Sequence, residues 1–244
     1  MSESWLTGKV VENRRWTETL FSLRVEGARP SFRAGQFVRI ALDTLEGNAG
    51  SRVARAFSFV NPPDDPVLEF YGVVVPEGPL SPRLARLRAG DALHVAPNPA
   101  GFLVLSEVPD AETLWLVSTG TGLAPFLSIL RTDTSRFKNV VLVHAARYAR
   151  ELTYQEVIRG TRARYVTVVS REKHRHSLEG RIPAAILDGS LEAAAGVELS
   201  ARTSHVMLCG NPRMLKDAQA ALAQRGMRKH RRRAPGHISV ESFW

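Results

Sequence analysis

The chain has one cysteine, Cys209, in 244 residues. No disulfide can therefore close within it, and a reducing compartment, the cytoplasm, is expected. No stretch approaches the roughly 20 consecutive apolar residues of a membrane span. The segment Met1–Lys9 carries acids and no apolar run, so a signal peptide is not expected either. No group of His, Cys, Asp or Glu has metal-ligand spacing, and no cysteine-rich segment exists to hold an iron–sulfur cluster. The G-x-G-x-x-G fingerprint is missing, as is the Gly-Lys-Ser/Thr of a P-loop. Internal repeats and low-complexity tracts are absent. Acids are also in short supply: 24 Asp and Glu face 33 Lys and Arg, a net charge of +9. Such an excess implies anionic partners. Its densest run, Arg228-Lys229-His230-Arg231-Arg232-Arg233, lacks the interleaved aromatics of a single-strand platform and matches no DNA-binding motif. The run reads either as a solvated basic surface at a helix end or as a dock for an acidic protein, with neither nucleic acid nor membrane expected.

What is present divides the chain in two. Its length exceeds one ordinary domain, and a hydrophobic content of 44% is ample for two cores. Residues 1–105 read as β, with strands expected at Thr7–Asn13, Leu20–Val25, Phe37–Leu42, Ala54–Val60, Val67–Val75 and Ala92–Ala96. Six short strands punctuated by Gly, Pro, Asn and Asp suggest a small antiparallel barrel. One helix interrupts them, with Ser81-Pro82 as N-cap and first helical residue and Leu84 and Leu87 facing inward. Residues 106–244 alternate strands with helices, as a parallel α/β sheet requires. Strands are expected at Thr113–Ser118, Val140–Ala146, Tyr165–Val169 and Val206–Cys209, and a last one at Ile238–Phe243. Helices fall near Ala124–Arg131, Leu152–Arg159, Pro183–Leu187 and Pro212–Arg225, the last capped by Asn211. The proline-bearing segment Pro97–Pro109 is the natural boundary.

One segment of the second half carries chemistry by itself. Leu114–Ser118 is an apolar strand, Thr119-Gly120-Thr121-Gly122 a tight turn, and Ala124–Leu130 an apolar helix. A strand turning on glycines into a helix leaves backbone N–H groups free at the positive end of the helix dipole. Glycines let an anion approach without a Cβ in the way. The segment reads as a phosphate or dinucleotide cradle, or else as a plain strand-to-helix turn.

Five motifs in fixed order break the tie. Arg55-Ala56-Phe57-Ser58, Gly78-Pro79-Leu80-Ser81, Gly120-Thr121-Gly122-Leu123-Ala124-Pro125, Cys209-Gly210-Asn211-Pro212 and Glu241-Ser242-Phe243-Trp244 together resemble the ferredoxin–NADP reductase family. The bacterial branch serving flavodoxin and ferredoxin is the better match, through the HAAR, SRE and GRIP segments and the aromatic C-terminus. The resemblance spans essentially the whole chain. It implies a six-stranded barrel for FAD, a parallel α/β domain for NADP(H), and hydride transfer from NADPH to flavin N5 followed by single-electron transfers to ferredoxin or flavodoxin. It also implies a monomer.

The resemblance assigns the flavin site to Arg55, Ala56, Phe57, Ser58, Tyr71, Gly72, Val73, Pro79, Leu80, Ser81 and Thr121. Arg55 is a permanently charged planar donor suited to the pyrophosphate. Phe57 stands at the family position that stacks on the isoalloxazine; a Phe there keeps stacking and gives up a phenolic hydrogen bond. Ser58 is expected near N5. Chain ends usually fray, so terminal Phe243 and Trp244 are expected to dock; the resemblance implies Phe243 on the isoalloxazine and Trp244 on the adenine. For NADP(H), the resemblance implies Gly120, Gly122, Ala146, Arg147, Ser170, Arg171, Arg181, Cys209, Gly210, Asn211 and Met214. An NAD-selective domain carries an acid at the end of its second strand; here Arg147 stands there, which suits a 2′-phosphate. Ser58, Cys209 and Glu241 are expected to surround the reaction point, with no metal. Cys209 is assigned a geometric role only, and His144 a core or hydrogen-bonding one. The same cofactor motifs would serve an NADPH–flavin reductase or the reductase component of an oxygenase. A basic nucleic-acid-binding barrel is the rival from a different class, and it predicts a colourless protein.

Overall fold

A computed structural model describes residues 4–44 and 51–242 of the chain. The first half forms β1 (Leu6–Arg15), β2 (Leu20–Glu26), β3 (Phe37–Asp43), β4 (Arg52–Ser58), β5 (Leu68–Val73) and β6 (Ala92–Val95). Their antiparallel order is β4-β3-β6-β1-β2-β5. The edges meet where β4 runs on past Ser58: Phe59 bridges Phe70, and the Val60 N–H donates to the Glu69 carbonyl at 2.9 Å. That closure makes the sheet a barrel and removes its free edges. Phe21, Leu23, Ile40, Phe59, Phe70, Leu84 and Leu93 fill it, each at most 1% exposed. The expected barrel is therefore present, with strand ends displaced by a residue or two.

The single helix of this half is one turn, α1 (Ser81–Leu84). Ser81 is not its N-cap as expected; Leu80 takes that place without a side-chain bond. The Ser81 hydroxyl instead accepts the Val75 N–H at 2.9 Å, closing the loop before the helix.

The second half forms β7 (Thr113–Thr119), α2 (Ala124–Leu130), β8 (Asn139–Ala146), α3 (Gln155–Arg159), β9 (Arg164–Val169), β10 (Leu178–Glu179), α4 (Ile182–Leu187), α5 (Ser190–Ala195), β11 (Ser204–Gly210), α6 (Pro212–Gln224) and β12 (Ile238–Ser242). The sheet order is β10-β9-β8-β7-β11-β12, all parallel. Strands covered on both faces are mostly apolar, and β7, β8 and β11 are buried almost end to end. Asn211 caps α6 as expected, its side chain accepting the Arg213 and Met214 N–H groups. β10 and α5 were not expected; each is short and carries little periodic signal. The helix expected from Leu152 begins at Gln155 instead, because the chain from Leu152 to Tyr154 turns in against the barrel.

One apolar layer lies between the halves. Leu20, Val60 and Tyr71 of the barrel pack with Leu116, Leu123, Leu127, Met207 and Cys209 of the α/β half. No helix among the described residues is long and apolar enough to cross a membrane.

Candidate active site

The carboxyl ends of the parallel strands carry most of the residues expected for the dinucleotide, and Glu241 at one of these ends reaches Gly101 and Phe102. At the end of β7 the chain turns through a single 3-10 turn, Gly120–Leu123, into α2. Gly120 adopts φ +54 with open space around its missing Cβ. Gly122 has the opposite constraint: a Cβ there would sit 2.4 Å from the Cys209 carbonyl oxygen. The two glycines thus serve different ends, one the turn and one the close packing of the turn on β11. Gly210, at φ +138, lies against Thr119, whose hydroxyl accepts the Asn211 N–H at 3.0 Å. The cradle is a rigid corner with backbone N–H groups at its mouth.

Three residues proposed for the reaction point are linked by a chain of contacts. Ser58 is the register partner of Phe37, and Phe37 bridges Ala100. A Cβ on the next residue, Gly101 (φ +107), would meet the Glu241 carboxylate at 2.8 Å and the Phe37 ring at 3.1 Å. Glu241 in turn is the register partner of Cys209. Glu241 accepts a backbone N–H from Phe102, but burial outweighs that bond and raises its pKa to about 7. Burial, reinforced by the charge of Glu241, holds the Cys209 thiol well above its ordinary range. Cys209 is therefore a neutral, inert side chain, in keeping with a geometric role.

Flavin has the surfaces it needs. Among the described residues, Ser58 Oγ and Glu241 Oε1 are buried atoms without a hydrogen-bond partner, which is costly unless one is supplied. Phe57 is half-buried, edge-on to Phe70 with centroids 6.5 Å apart. Gly72 packs beside it, and a Cβ there would meet Phe57 at 3.0 Å and Phe21 at 2.7 Å. Tyr71 is core, 2% exposed, with its hydroxyl bonded to Thr153; Val73 is half-buried next to it. Arg55 and Ala56 lie on the exposed stretch of β4, and the Arg55 guanidinium donates to its own neighbour's carbonyl, Ala54, at 2.7 Å. Pro79, Leu80 and Ser81 form the mouth of α1, with Pro79 exposed and Leu80 buried. Thr121 is half-buried in the glycine turn. Phe243 and Trp244 lie outside the described residues.

The three arginines assigned to a 2′-phosphate come together at one edge. The Arg171 N–H donates to the Arg147 carbonyl at 2.9 Å, and the Ser170 N–H to Ala146 at 3.1 Å, so the loops after β8 and β9 run side by side. The Gly180 N–H donates to Val169 at 3.0 Å and delivers Arg181, the N-cap of α4, to the same edge. All three side chains are exposed and make no ion pair among the described residues. Free guanidiniums at strand ends suit a phosphate dianion. Met214, half-buried on α6, and Asn211 flank the other side of the cradle. His144 is wholly buried, bonds the Tyr165 hydroxyl at 3.0 Å, and is held neutral by burial with its pKa near 4. It is a core residue.

Other residues of the site escape a sequence reading. Gly101 and Phe102 back Glu241, and Thr119 anchors the Cys209–Asn211 loop; none belongs to a motif. A polar seam between the halves (Asn61, Glu69, Arg131, Thr153, Tyr154) is likewise silent in the sequence. Among the described residues no group of His, Cys, Asp and Glu could hold a metal ion.

The family model "Oxidoreductase NAD-binding domain" matches residues 116–220, the heart of the parallel sheet. A flavodoxin/ferredoxin–NADP reductase of Shigella flexneri is 52% identical over 249 aligned residues, covering 98% of this chain and 99% of that one. The enzyme of the same name from Escherichia coli strain K12 is 51% identical with the same coverage. Among solved structures, a ferredoxin NADP+ reductase from Neisseria gonorrhoeae with bound FAD and NADP superimposes with a TM-score of 0.93. It is 31% identical, over 98% of this chain and 99% of that one. A barrel closed against a parallel sheet, a glycine corner pressed on Cys209 and near full-length identity of this order lead to one conclusion: the chain belongs to the flavodoxin/ferredoxin–NADP reductase family.

Proposed function

We propose that this chain is an FAD-dependent oxidoreductase that moves electrons between NADP(H) and a small acidic carrier, ferredoxin or flavodoxin. Residues 1–105 hold FAD and residues 106–244 hold NADP(H); both sites are built from one copy, so a monomer suffices. The observation that supports the reading is the chain of contacts from Ser58 through its register partner Phe37 to Gly101 and Glu241, the register partner of Cys209. Bound FAD supplies the chemistry, accepting two electrons with a proton and releasing them singly.

The chain's own residues supply position and charge. Arg55 and the α1 mouth bind the flavin phosphates, and Phe57 lies against the ring. Arg147, Ser170, Arg171 and Arg181 hold the 2′-phosphate, while the Gly120–Gly122 corner and Cys209–Asn211 seat the rest of the dinucleotide. Ser58 Oγ offers a hydrogen bond at the reacting edge of the flavin. Glu241 Oε1, buried and titrating near neutral pH, holds or releases a proton there.

The carrier docks on the basic segment, which lies close to this centre. Arg232 makes two bonds to Glu107, at 2.7 and 2.9 Å, and its guanidinium covers the Phe102 ring at 4.5 Å. Phe102 is 65% exposed, and its N–H is the one that reaches Glu241. Lys229, Arg231 and Arg233 are exposed and carry no ion pair among the described residues. Charge complementarity of this kind sets association rates and is screened by salt. Stopped-flow reduction of purified flavodoxin and ferredoxin by the NADPH-reduced protein tests the assignment. The second-order rate is expected to fall steeply with ionic strength; a salt-independent rate removes the docking role, and no carrier reduction at all removes the function.

A further inference from the structure

We propose that Thr153 and Tyr154 are positioning residues, which lock the NADP(H)-binding half against the strand that backs the flavin. The proposal rests on the functional reading above and extends it to residues outside every cofactor motif.

Tyr154 is the only described non-glycine residue with positive φ, at +58. A bulky L residue rarely adopts that conformation and keeps it only where its surroundings over-determine it. The Tyr154 carbonyl accepts the Ile158 N–H of α3 at 3.0 Å, while the partners of its side chain come from the barrel. The Tyr154 hydroxyl donates to Glu69 Oε1 at 2.7 Å, across 85 residues of sequence. Its ring packs on Trp16 with centroids 4.5 Å apart and meets Tyr71 edge-on at 5.3 Å. The preceding Thr153 hydroxyl donates to the Tyr71 oxygen at 2.9 Å in a buried setting.

Two further contacts reach the same stretch of barrel from the end of α2. The buried Ser128 hydroxyl donates to the Asn61 carbonyl at 2.7 Å. Arg131 lies 3.6 Å from Asp65 and 3.9 Å from Glu69. The barrel side is itself braced, since the Asn61 side chain accepts the Glu69 N–H at 2.8 Å. All of these bonds land on residues 61–71.

Both ends of this seam lead directly to a cofactor. On the α/β side, Tyr154 ends the loop that begins at Arg147, and the Glu151 carboxylate closes that loop by accepting the Arg147 and Tyr148 N–H groups. On the barrel side, Tyr71 is followed by Gly72, which abuts Phe57. The seam therefore fixes the distance between the nucleotide's phosphate anchor and the flavin's wall. Hydride transfer needs reacting atoms about 3–3.5 Å apart, and a displacement of about 1 Å costs on the order of 100-fold. A motif-free seam of this kind governs the rate of the step while leaving the nucleotide's own contacts untouched.

The test uses the FAD-loaded protein and two variants, Tyr154→Phe and Thr153→Val. The first keeps the ring and removes the bond to Glu69; the second touches no charge. Anaerobic stopped-flow bleaching of FAD, followed against NADPH concentration, separates the limiting rate from nucleotide affinity. The limiting rate is expected to fall by about tenfold or more in each variant. The NADPH dissociation constant should shift by less than about twofold, because the arginine edge is unchanged. Hydrogen exchange supplies a readout independent of turnover: amides of 69–73 and 152–158 should open together in both variants, while β9 stays protected. A limiting rate within about twofold of the parent, even with a lower melting temperature, makes the seam merely structural and overturns the proposal. If Tyr154→Phe does not fold, Thr153→Val alone decides. Absence of NADPH-driven bleaching in the parent would instead sink the functional reading.

Discussion

Replacing Arg147 and Arg171 together with glutamine should convert a strong preference for NADPH into a weak one. The structure sets the scale. Both guanidiniums are exposed and unpaired among the described residues, and the Arg171 N–H to Arg147 carbonyl bond at 2.9 Å keeps their backbones adjacent whatever the side chains are. A charge-assisted bond contributes about 1.5–3 kcal/mol. Exposure to solvent lowers that to about 1 kcal/mol or slightly more for each pair. Two such contacts amount to about 2–3 kcal/mol, or roughly 30- to 150-fold in kcat/KM at one decade per 1.4 kcal/mol. The loss should fall on NADPH alone, since NADH has no 2′-phosphate to lose. Steady-state reduction of ferricyanide, measured with each nucleotide at fixed ionic strength, reads the two numbers side by side. Equal losses with NADPH and NADH would mean that the arginines act on structure or on the shared part of the dinucleotide, and the specificity argument would fail. Arg181→Gln added to the pair should deepen the NADPH loss and leave NADH where it was.

Two other perturbations follow from the corner between the sheets. Gly122→Ala forces a Cβ to within 2.4 Å of the Cys209 carbonyl, so backbone must move on both sides; a loss of about 1–3 kcal/mol in urea unfolding is expected, and an unchanged midpoint would show that the corner gives way freely. Glu241→Gln removes a carboxyl whose pKa burial has raised from the usual carboxylate range to about 7. Because the folded state holds that proton more tightly than the unfolded one, the wild type should lose stability as pH rises through this window, and the glutamine variant should lose less. The pH dependence of the unfolding midpoint tests the sign directly, and parallel curves for the two proteins would refute it.

What could be read from the sequence has a physical pattern. Strands of the α/β half are legible because burial on both faces makes Val140–Val143 and Val206–Cys209 continuous apolar runs. The glycine corner is legible because its two glycines stand side by side in a strand-to-helix turn; the turn at Gly120 is a local constraint, while the one at Gly122 comes from the distant Cys209 carbonyl. Arg147 could be singled out because a strand's carboxyl end fixes where its next residue points. α1 was foreseen, but its cap was not, since the Ser81 hydroxyl had two local acceptor roles and the Val75 turn took it. The helix after Leu152 was drawn too early for a different reason. Its apolar positions satisfy a helical period, yet Thr153 and Tyr154 are used for bonds to residues 82 and 85 positions away. Periodicity reports which face of an element is buried; it says nothing of a polar partner on another sheet.

That distinction bears on how the two halves work together. Most of the residues proposed for each cofactor belong to one half and stand in motifs, Thr121 being an exception that reaches from the α/β half toward the flavin. The geometry between the cofactors is set across the halves, by Glu69, Tyr71, Ser128, Arg131, Thr153 and Tyr154, whose bonds span 67–85 residues where they are hydrogen bonds. The apolar layer between the halves, including Leu20, Val60 and Leu127, supplies adhesion but little orientation, because hydrophobic contact is non-directional. Hydrogen bonds with fixed donors and acceptors supply what adhesion lacks. A protein can therefore carry both cofactor sites intact and still transfer hydride slowly if the seam is loose. The glycine corner, the arginine edge and Ser58 define where the reactants sit within each half; the seam at Tyr154 defines how far apart they are.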